Sequence, residues 1–149
     1  MNPPPDLIEL DAVLLANSAE VHGGMAYVLG GAWSRCWPPE GLAYAYERPI
    51  SLVLVFRVPW GETNILHNFK IAFVDSDNAP VSPPAEGAFK AGREANLTDG
   101  ASQLVVATLT APVRLTAPGL YYVSVEVDGA ERKKIQFEAI DRPGTPPRR

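Results

Sequence analysis

Residues 50–73 read ISLVLVFRV (50–58), PWGETN (59–64) and ILHNFKIAF (65–73), and this stretch decides the fold. The first run is almost wholly β-branched, leucine or aromatic, which is typical of a central strand covered on both faces. In the third run Phe69, Ile71 and Phe73 recur at every second position, the alternation of a half-buried strand. We therefore predict two strands of an all-β fold, joined as a hairpin.

The composition also favours a single all-β domain. The chain has 149 residues, enough for one domain that buries about 70% of its unfolded surface. Its hydrophobic fraction of 46% and charged fraction of 20% are those of a globular protein. Fifteen prolines and twelve glycines interrupt the chain too often for long helices, and they suit short strands with many turns.

Charge and targeting signals exclude several partners. The net charge of −4 offers no basic surface for nucleic-acid phosphates. The one cysteine, Cys36, cannot form an internal disulfide, which is compatible with a reducing compartment. The N-terminus has no basic signal-peptide region, and no apolar run approaches the roughly 20 residues of a spanning helix. We expect a soluble, cytoplasmic protein with no nucleic-acid or membrane partner.

The N-terminal part predicts a Pro-rich lead-in over residues 1–6 and then two strands. In residues 7–17 an alternating apolar face predicts the first strand, with a helix as the alternative, and its members are Ile8, Leu10, Ala12 and Leu14. Residues 17–24 look like a connection. A second strand begins at Met25, and Gly30 and Gly31 indicate a bulge or a close backbone approach before it resumes over residues 32–37.

The C-terminal part predicts a strand over residues 85–90, an interior strand over residues 103–109 and a final hairpin. Asp128-Gly129 lies between two alternating runs, which is a strong signal for a hairpin turn. The side chains expected on one face of this hairpin are Tyr121, Val123, Val125 and Val127, opposite Ile135, Phe137 and Ala139. Residues 141–149 are expected to form a flexible tail.

About eight short strands without a convincing helix predict a two-sheet antiparallel β-sandwich over residues 7–140, immunoglobulin-like or related in topology. A small closed barrel is the alternative. Tyr121 follows Pro118-Gly119 at the start of a late strand, and it resembles the tyrosine corner of immunoglobulin-like sandwiches. We expect its hydroxyl to bond to the backbone of that corner.

No set of residues indicates a catalytic, metal or cofactor site. His22 and His67 are the only histidines, and we interpret His67 as a surface residue flanking a strand. Residues 75–78 contain two aspartates but lack the later glycine and glutamate of a calcium loop, so an Asx turn is expected. Cys36 lies between Trp33 and Trp37, which favours a buried structural thiol over a nucleophile. No phosphate-binding loop or nucleophile elbow is present.

Aromatic side chains in or near connections suggest an interaction surface. Tryptophan and tyrosine contribute large contact area with little loss of rotamer entropy. The candidate surface comprises Trp33, Trp37, Trp60, Glu62 and Asn64. Pro59 and Gly61 would set the backbone of the Trp60 loop, since Gly61 permits a positive φ. The alternative is that these aromatics, with Tyr44 and Tyr46, close the ends of the sandwich.

Four blocks carry a resemblance to a family of small bacterial proteins of unknown function. They are LLAN (14–17), YVLGGAW (27–33), VPWGETN (58–64) and PGLY (118–121) with its Asp128-Gly129 turn. The resemblance implies a single all-β domain over most of residues 7–140. It implies no activity, cofactor or partner.

Three functions remain open. The first is a non-enzymatic interaction or structural module that presents the aromatic loop to a protein partner or to its own copies. The second is a small-ligand or carbohydrate-binding sandwich, in which Trp33, Trp37 or Trp60 stacks on the ligand. The third is a hydrolase that uses Glu62 and His67 as an acid-base pair.

Overall fold

The computed structural model describes residues 7–144, and these residues form an all-β fold. In chain order the strands are β1 Glu9–His22, β2 Met25–Gly31, β3 Arg35–Cys36, β4 Tyr46–Val58, β5 Leu66–Asp75, β6 Ala85–Lys90, β7 Gln103–Leu115, β8 Gly119–Val127 and β9 Ala130–Ala139. Within this range the helical structure is one 3₁₀ turn, Trp60–Glu62. The predicted lead-in and residues 145–149 of the predicted tail lie outside the described residues.

The strands form two sheets. The four-stranded sheet has the order β2-β1-β4-β7 and is antiparallel, and the five-stranded sheet has the order β3-β9-β8-β5-β6. One hydrophobic cluster draws buried side chains from both sheets. The prediction of an all-β fold is therefore confirmed. The described residues contain nine strands where about eight were predicted, and β3 pairs with β9 in parallel rather than antiparallel fashion.

β4 is the predicted central strand. It pairs with β1 on one side and β7 on the other, and Leu52, Leu54 and Phe56 are fully buried. The predicted hairpin with β5 is wrong, because β5 belongs to the five-stranded sheet and pairs with β6 and β8. The connection after β4 crosses from one sheet to the other. Alternation in sequence reports which face of a strand is buried, and it says nothing about which strand lies beside it.

β1 confirms the strand interpretation of the N-terminal segment, but its inward face changes along its length. The register with β4 shifts between Leu10 and Ala12, which is a β-bulge. Ile8 is buried before the bulge and Leu15 after it, whereas Leu14, predicted on the apolar face, is 37% exposed. A one-residue bulge moves every following side chain to the opposite face. β1 also continues to His22, through residues predicted as a connection.

Gly30 and Gly31 end β2 rather than interrupt it. The chain leaves the four-stranded sheet after Gly31 and adds β3 to the other sheet, so the predicted resumption of the strand is wrong. Gly30 has a φ of 60°, and a Cβ built there would lie 2.4 Å from Asn17 Nδ2. The close backbone approach is therefore the correct half of the prediction.

β7 is an edge strand, although an interior strand was predicted over residues 103–109. It pairs only with β4, and Leu104 is 51% exposed. Its inward residues Ala111, Val113 and Leu115 are buried, but they lie beyond the predicted segment. A run that is apolar on both faces was interpreted as interior, yet the second face of this run is partly exposed to solvent.

The hairpin of β8 and β9 forms as predicted. Asp128 and Gly129 have φ values of 50° and 83°, the two positive values that a type I′ turn requires. Tyr121 lies opposite Phe137, and Val123 lies opposite Ile135. This turn fixes the position of Asp128 at the end of the five-stranded sheet.

Candidate functional site

The residues of the predicted interaction surface fall into two groups at opposite ends of β4. Trp60, Glu62 and Asn64 follow the C-terminal end of this 13-residue strand. Trp33 and Trp37 lie near its N-terminal end, where Trp33 contacts Arg48. The structure therefore brings together the members of each group and separates the two groups from each other.

The Trp60 loop is held by Arg93. The guanidinium carbon of Arg93 lies 3.5 Å from the centroid of the Trp60 ring, and its Nη2 donates to the Trp60 carbonyl at 2.9 Å. Trp60 is half-buried, so its indole neither closes the end of the core completely nor stands free in solvent for a partner. The positive φ expected at Gly61 occurs instead at Asn64, with 61°, where the backbone N–H donates to Ala91 at 2.7 Å.

His67 lies under this loop and is 1% exposed, so its interpretation as a surface residue is wrong. Its Nδ1 lies 2.8 Å from Asp128 Oδ2, and its Nε2 lies 3.0 Å from the Glu62 carbonyl oxygen. A carboxylate and a carbonyl are both acceptors, so both bonds form together when the ring carries two protons. Two segments 61 residues apart, the start of β5 and the turn of the last hairpin, are thereby joined at one ring, which also bonds to the nearby Glu62 carbonyl.

The charges at this ring shift two pKa values. Burial opposes protonation of His67, but its bonds to Asp128 and to the Glu62 carbonyl outweigh burial and raise the pKa of the ring. Burial also disfavours the charged form of Asp128, yet its bonds from His67 and from the Asn68 backbone lower the pKa of this carboxyl. Both shifts favour the charged forms of the ring and the carboxylate over their neutral forms.

This network offers no open acid-base pair for a substrate. Glu62 Oε2 lies 3.6 Å from His67 Nε2, the same nitrogen that bonds to the Glu62 carbonyl. Both ring nitrogens face protein acceptors, and the ring is almost inaccessible to solvent. The arrangement ties the crossing between the sheets to the turn of the last hairpin.

The second group surrounds Cys36 and Arg48. Cys36 is 3% exposed, as predicted for a structural thiol, and burial raises the pKa of this thiol. Trp33 packs edge-on against Phe137 at 5.8 Å between ring centroids, and it also contacts Arg48. Trp37 is 42% exposed and lines an open cleft beside them.

A third surface, on β2, was missed by the sequence reasoning. Met25, Tyr27 and Leu29 are exposed by 60%, 54% and 72%, and they alternate along one face of an edge strand. The signal was present in the sequence, because residues 25–31 contain neither a charge nor a proline. Exposed edge strands usually carry such residues as protection against pairing.

Comparison with known proteins places the chain in a family. A family model described as a family of unknown function, DUF6941, matches residues 11–140. The chain belongs to this family. No curated protein matches the chain. Membership in DUF6941 brings no described activity, so the function of this member has to be argued from its own surfaces.

Three further observations concern the described residues. Within residues 7–144, no three His, Cys, Asp or Glu side chains are grouped closely enough to hold a metal ion. Asp75 Oδ1 accepts bonds from the backbone N–H of Asp77 and of Ala79, both at 2.9 Å, which is the predicted Asx turn. The same range contains no helix that is long and apolar enough to cross a membrane.

Proposed function

We propose that this protein is a non-enzymatic interaction module that pairs with a second copy of itself through β2. The observation that supports the proposal is the open, uncharged edge that β2 presents. Residues 25–31 lie at the edge of the four-stranded sheet, and three large apolar side chains on this strand are more than half exposed. Tyr27 is therefore a more accessible aromatic contact residue than Trp60, whose indole is covered by Arg93.

The backbone of β2 has donors and acceptors available for pairing. The two-residue turn at Gly23 and Gly24 makes His22 and Met25 a directly opposed pair that exchanges hydrogen bonds. Bonded pairs alternate along an antiparallel ladder, so the intervening residues direct their N–H and C=O groups away from β1. These residues are Ala26 and Val28.

The same strand from a second copy is a suitable occupant. In an antiparallel pair related by a two-fold axis, each β2 would present the same apolar face to the other, which is an isologous contact. Because β2 has no charge, self-pairing brings no like charges of the two strands together. The pairing would join two four-stranded sheets into one continuous sheet and would satisfy the free backbone groups of both edges.

Sedimentation equilibrium on three variants tests this proposal. Leu29→Lys places a charge on the contact, and Val28→Pro removes one outward N–H without removing a bond to β1. Leu104→Lys is the matched control, since Leu104 is a 51%-exposed leucine on the opposite edge of the same sheet. We expect a dimer that both β2 variants weaken by at least about tenfold, while the control associates like the wild type.

Two results would overturn self-association. One is a wild-type protein that stays monomeric across the concentration range, and the other is a dimer that only Leu104→Lys dissociates. An extended segment of a protein partner would use the same backbone groups by strand addition. A monomer that binds such a segment at β2 would contradict pairing between copies.

We also infer that the two sheets are the layers of an immunoglobulin-like β-sandwich. Two features support this topology: one sheet contains β1-β4-β7 and the other β9-β8-β5, as the A-B-E and G-F-C strands do in that fold. The hydroxyl of Tyr121 donates to the Ala117 carbonyl at 2.7 Å, the bond expected of a tyrosine corner.

A cytoplasmic location is proposed as well, since the one cysteine is a buried free thiol.

A further inference from the structure

An open cleft lies at the N-terminal end of β4, at the opposite end of this strand from the Trp60 loop. It consists of two adjoining cavities of about 300 and 380 Å³, which share Asn17, Trp37 and Arg48 in their walls. Volumes of this size match the lower range of small-molecule sites. The sequence predicted Trp33 and Trp37 as ligand-stacking residues, and both line this cleft.

Arg48 is the central cation of the cleft. Its Nη2 donates to Asn17 Oδ1 at 3.0 Å, and its guanidinium carbon lies 5.0 Å from the centroid of the Trp33 ring. These two contacts orient the guanidinium. Among residues 7–144, no carboxylate forms an ion pair with it. A half-buried, oriented guanidinium without a counter-charge is suited to an anionic group supplied by a ligand.

The second arginine of the cleft is already compensated. Arg35 Nε lies 3.3 Å from Glu138 Oε1, so one uncompensated positive charge remains at Arg48. A single guanidinium matches a carboxylate in both charge and planar geometry. A phosphate dianion would require additional cations that the cleft does not provide. The charge balance therefore favours a monoanion.

Two buried hydrogen-bond donors in the walls also lack protein partners. The Trp33 indole N–H and the Tyr46 hydroxyl are buried without a hydrogen bond to any described residue. Tyr46 is only 5% exposed, and its hydroxyl lies near Arg48 and Cys36 without making a hydrogen bond of ordinary geometry to either. The Tyr46 hydroxyl therefore adds a polar group to the wall of the cleft beside Arg48.

We propose that this cleft binds a small organic monocarboxylate, with the carboxylate on Arg48 and the apolar body against the Trp37 ring. The exposed indole of Trp37 provides the apolar surface at the mouth of the cleft. Arg48 supplies the charge and the paired N–H donors. This site does not depend on association through β2, so the two proposals can fail separately.

Two-dimensional NMR of the three indole N–H groups tests the proposal with benzoate as the probe. Trp33 and Trp37 lie in the cleft, whereas Trp60 lies at the other end of β4 and serves as an internal reference. We expect benzoate to shift the Trp33 and Trp37 signals in a saturable way and to leave Trp60 unmoved. Benzyl alcohol, which has the same ring without the charge, should bind at least about tenfold more weakly.

Arg48→Gln should weaken benzoate binding by at least about tenfold, and Arg114→Gln, on β7, should leave it unchanged. Tyr46→Phe keeps the ring and removes one unpartnered donor, so it provides a second variant if Arg48→Gln does not fold. Equal shifts with benzyl alcohol, unchanged binding by both cleft variants, or saturation by inorganic phosphate but not by benzoate would each overturn the proposal.

Discussion

His67 shows how one side chain can join segments that the sequence keeps far apart. Its ring bonds to the turn of the last hairpin through Asp128 and to the crossing between the sheets through the Glu62 carbonyl. Both bonds need the protonated ring, so this junction couples the fold to pH. The sequence identified His67 as a residue beside a strand and related it to the nearby Glu62, but Asp128 lies 61 residues away, at a position that no local pattern relates to His67.

We predict that stability falls as the pH rises through the folded-state pKa of His67. The pKa of this ring is raised from 6.5, so the folded state binds the proton more tightly than the unfolded state. Its contribution is therefore complete below about pH 6.5 and is lost above the folded pKa. Asp128 has a pKa lowered from 3.8, so its contribution is present above that value and is lost as the pH falls through the folded pKa.

Urea unfolding between pH 5 and 9 measures this dependence. His67→Gln should flatten the decline above about pH 6.5, and His22→Gln, the same change at an exposed histidine, should preserve it. A decline that survives unchanged in His67→Gln would contradict the assignment of this pH dependence to His67.

Tyr121 provides a second test at the scale of one residue. Its hydroxyl donates to Ala117 at 2.7 Å and the residue is 3% exposed, so Tyr121→Phe should lower the free energy of unfolding by about 1 kcal/mol. The neighbouring Tyr122→Phe, on the other face of β8, is the control and should cost little. An unchanged denaturation midpoint for Tyr121→Phe would mean that the corner bond does not contribute to stability.

At the scale of elements, the connection after β4 matters most, because it carries the chain from one sheet to the other. Its 3₁₀ turn begins at Trp60, and Arg93 from the segment between β6 and β7 covers the indole. Arg93 also donates to Thr63 Oγ1 at 3.1 Å. The loop is thus stabilised by a contact between two connections as well as by the bond of the Glu62 carbonyl to the buried His67.

A double-mutant cycle with Trp60→Leu and Arg93→Met should give a coupling energy of about 0.5 to 1 kcal/mol, as expected for a cation over an indole near the surface. Trp60→Leu paired with Arg114→Met, at a distant position on β7, should give none. Strictly additive effects of Trp60→Leu and Arg93→Met would show that the stacking does not stabilise the loop.

The sequence predicted which segments form strands better than it predicted which strands lie side by side in a sheet. Strand identity, the buried face of β8 and the Asp128-Gly129 turn depend on local composition, so they could be predicted. The partner of β5 could not, because alternation is the same in a hairpin and in a crossing between sheets. The bulge after Leu10 and the covering of Trp60 by Arg93 depend on contacts distant in sequence, which no spacing reveals.

In the molecule as a whole, the four edge strands of the described residues differ in how well they are protected against pairing with a strand of another chain. β7 carries Pro112 and Arg114, and β6 carries Glu86 and Lys90, which are residues that discourage edge pairing. β3 has only two residues. β2 has seven residues with no charge and no proline, so it is the edge strand that is open to association.

Concentration-dependent amide hydrogen exchange tests pairing through β2. The N–H groups of Tyr27 and Leu29 belong to the bonded pairs with β1 and should be protected at every concentration. The outward N–H groups of Ala26 and Val28 should gain protection as the protein concentration rises, because a second β2 accepts their hydrogen bonds. Outward amides that exchange at the same unprotected rate at all concentrations would contradict pairing through β2.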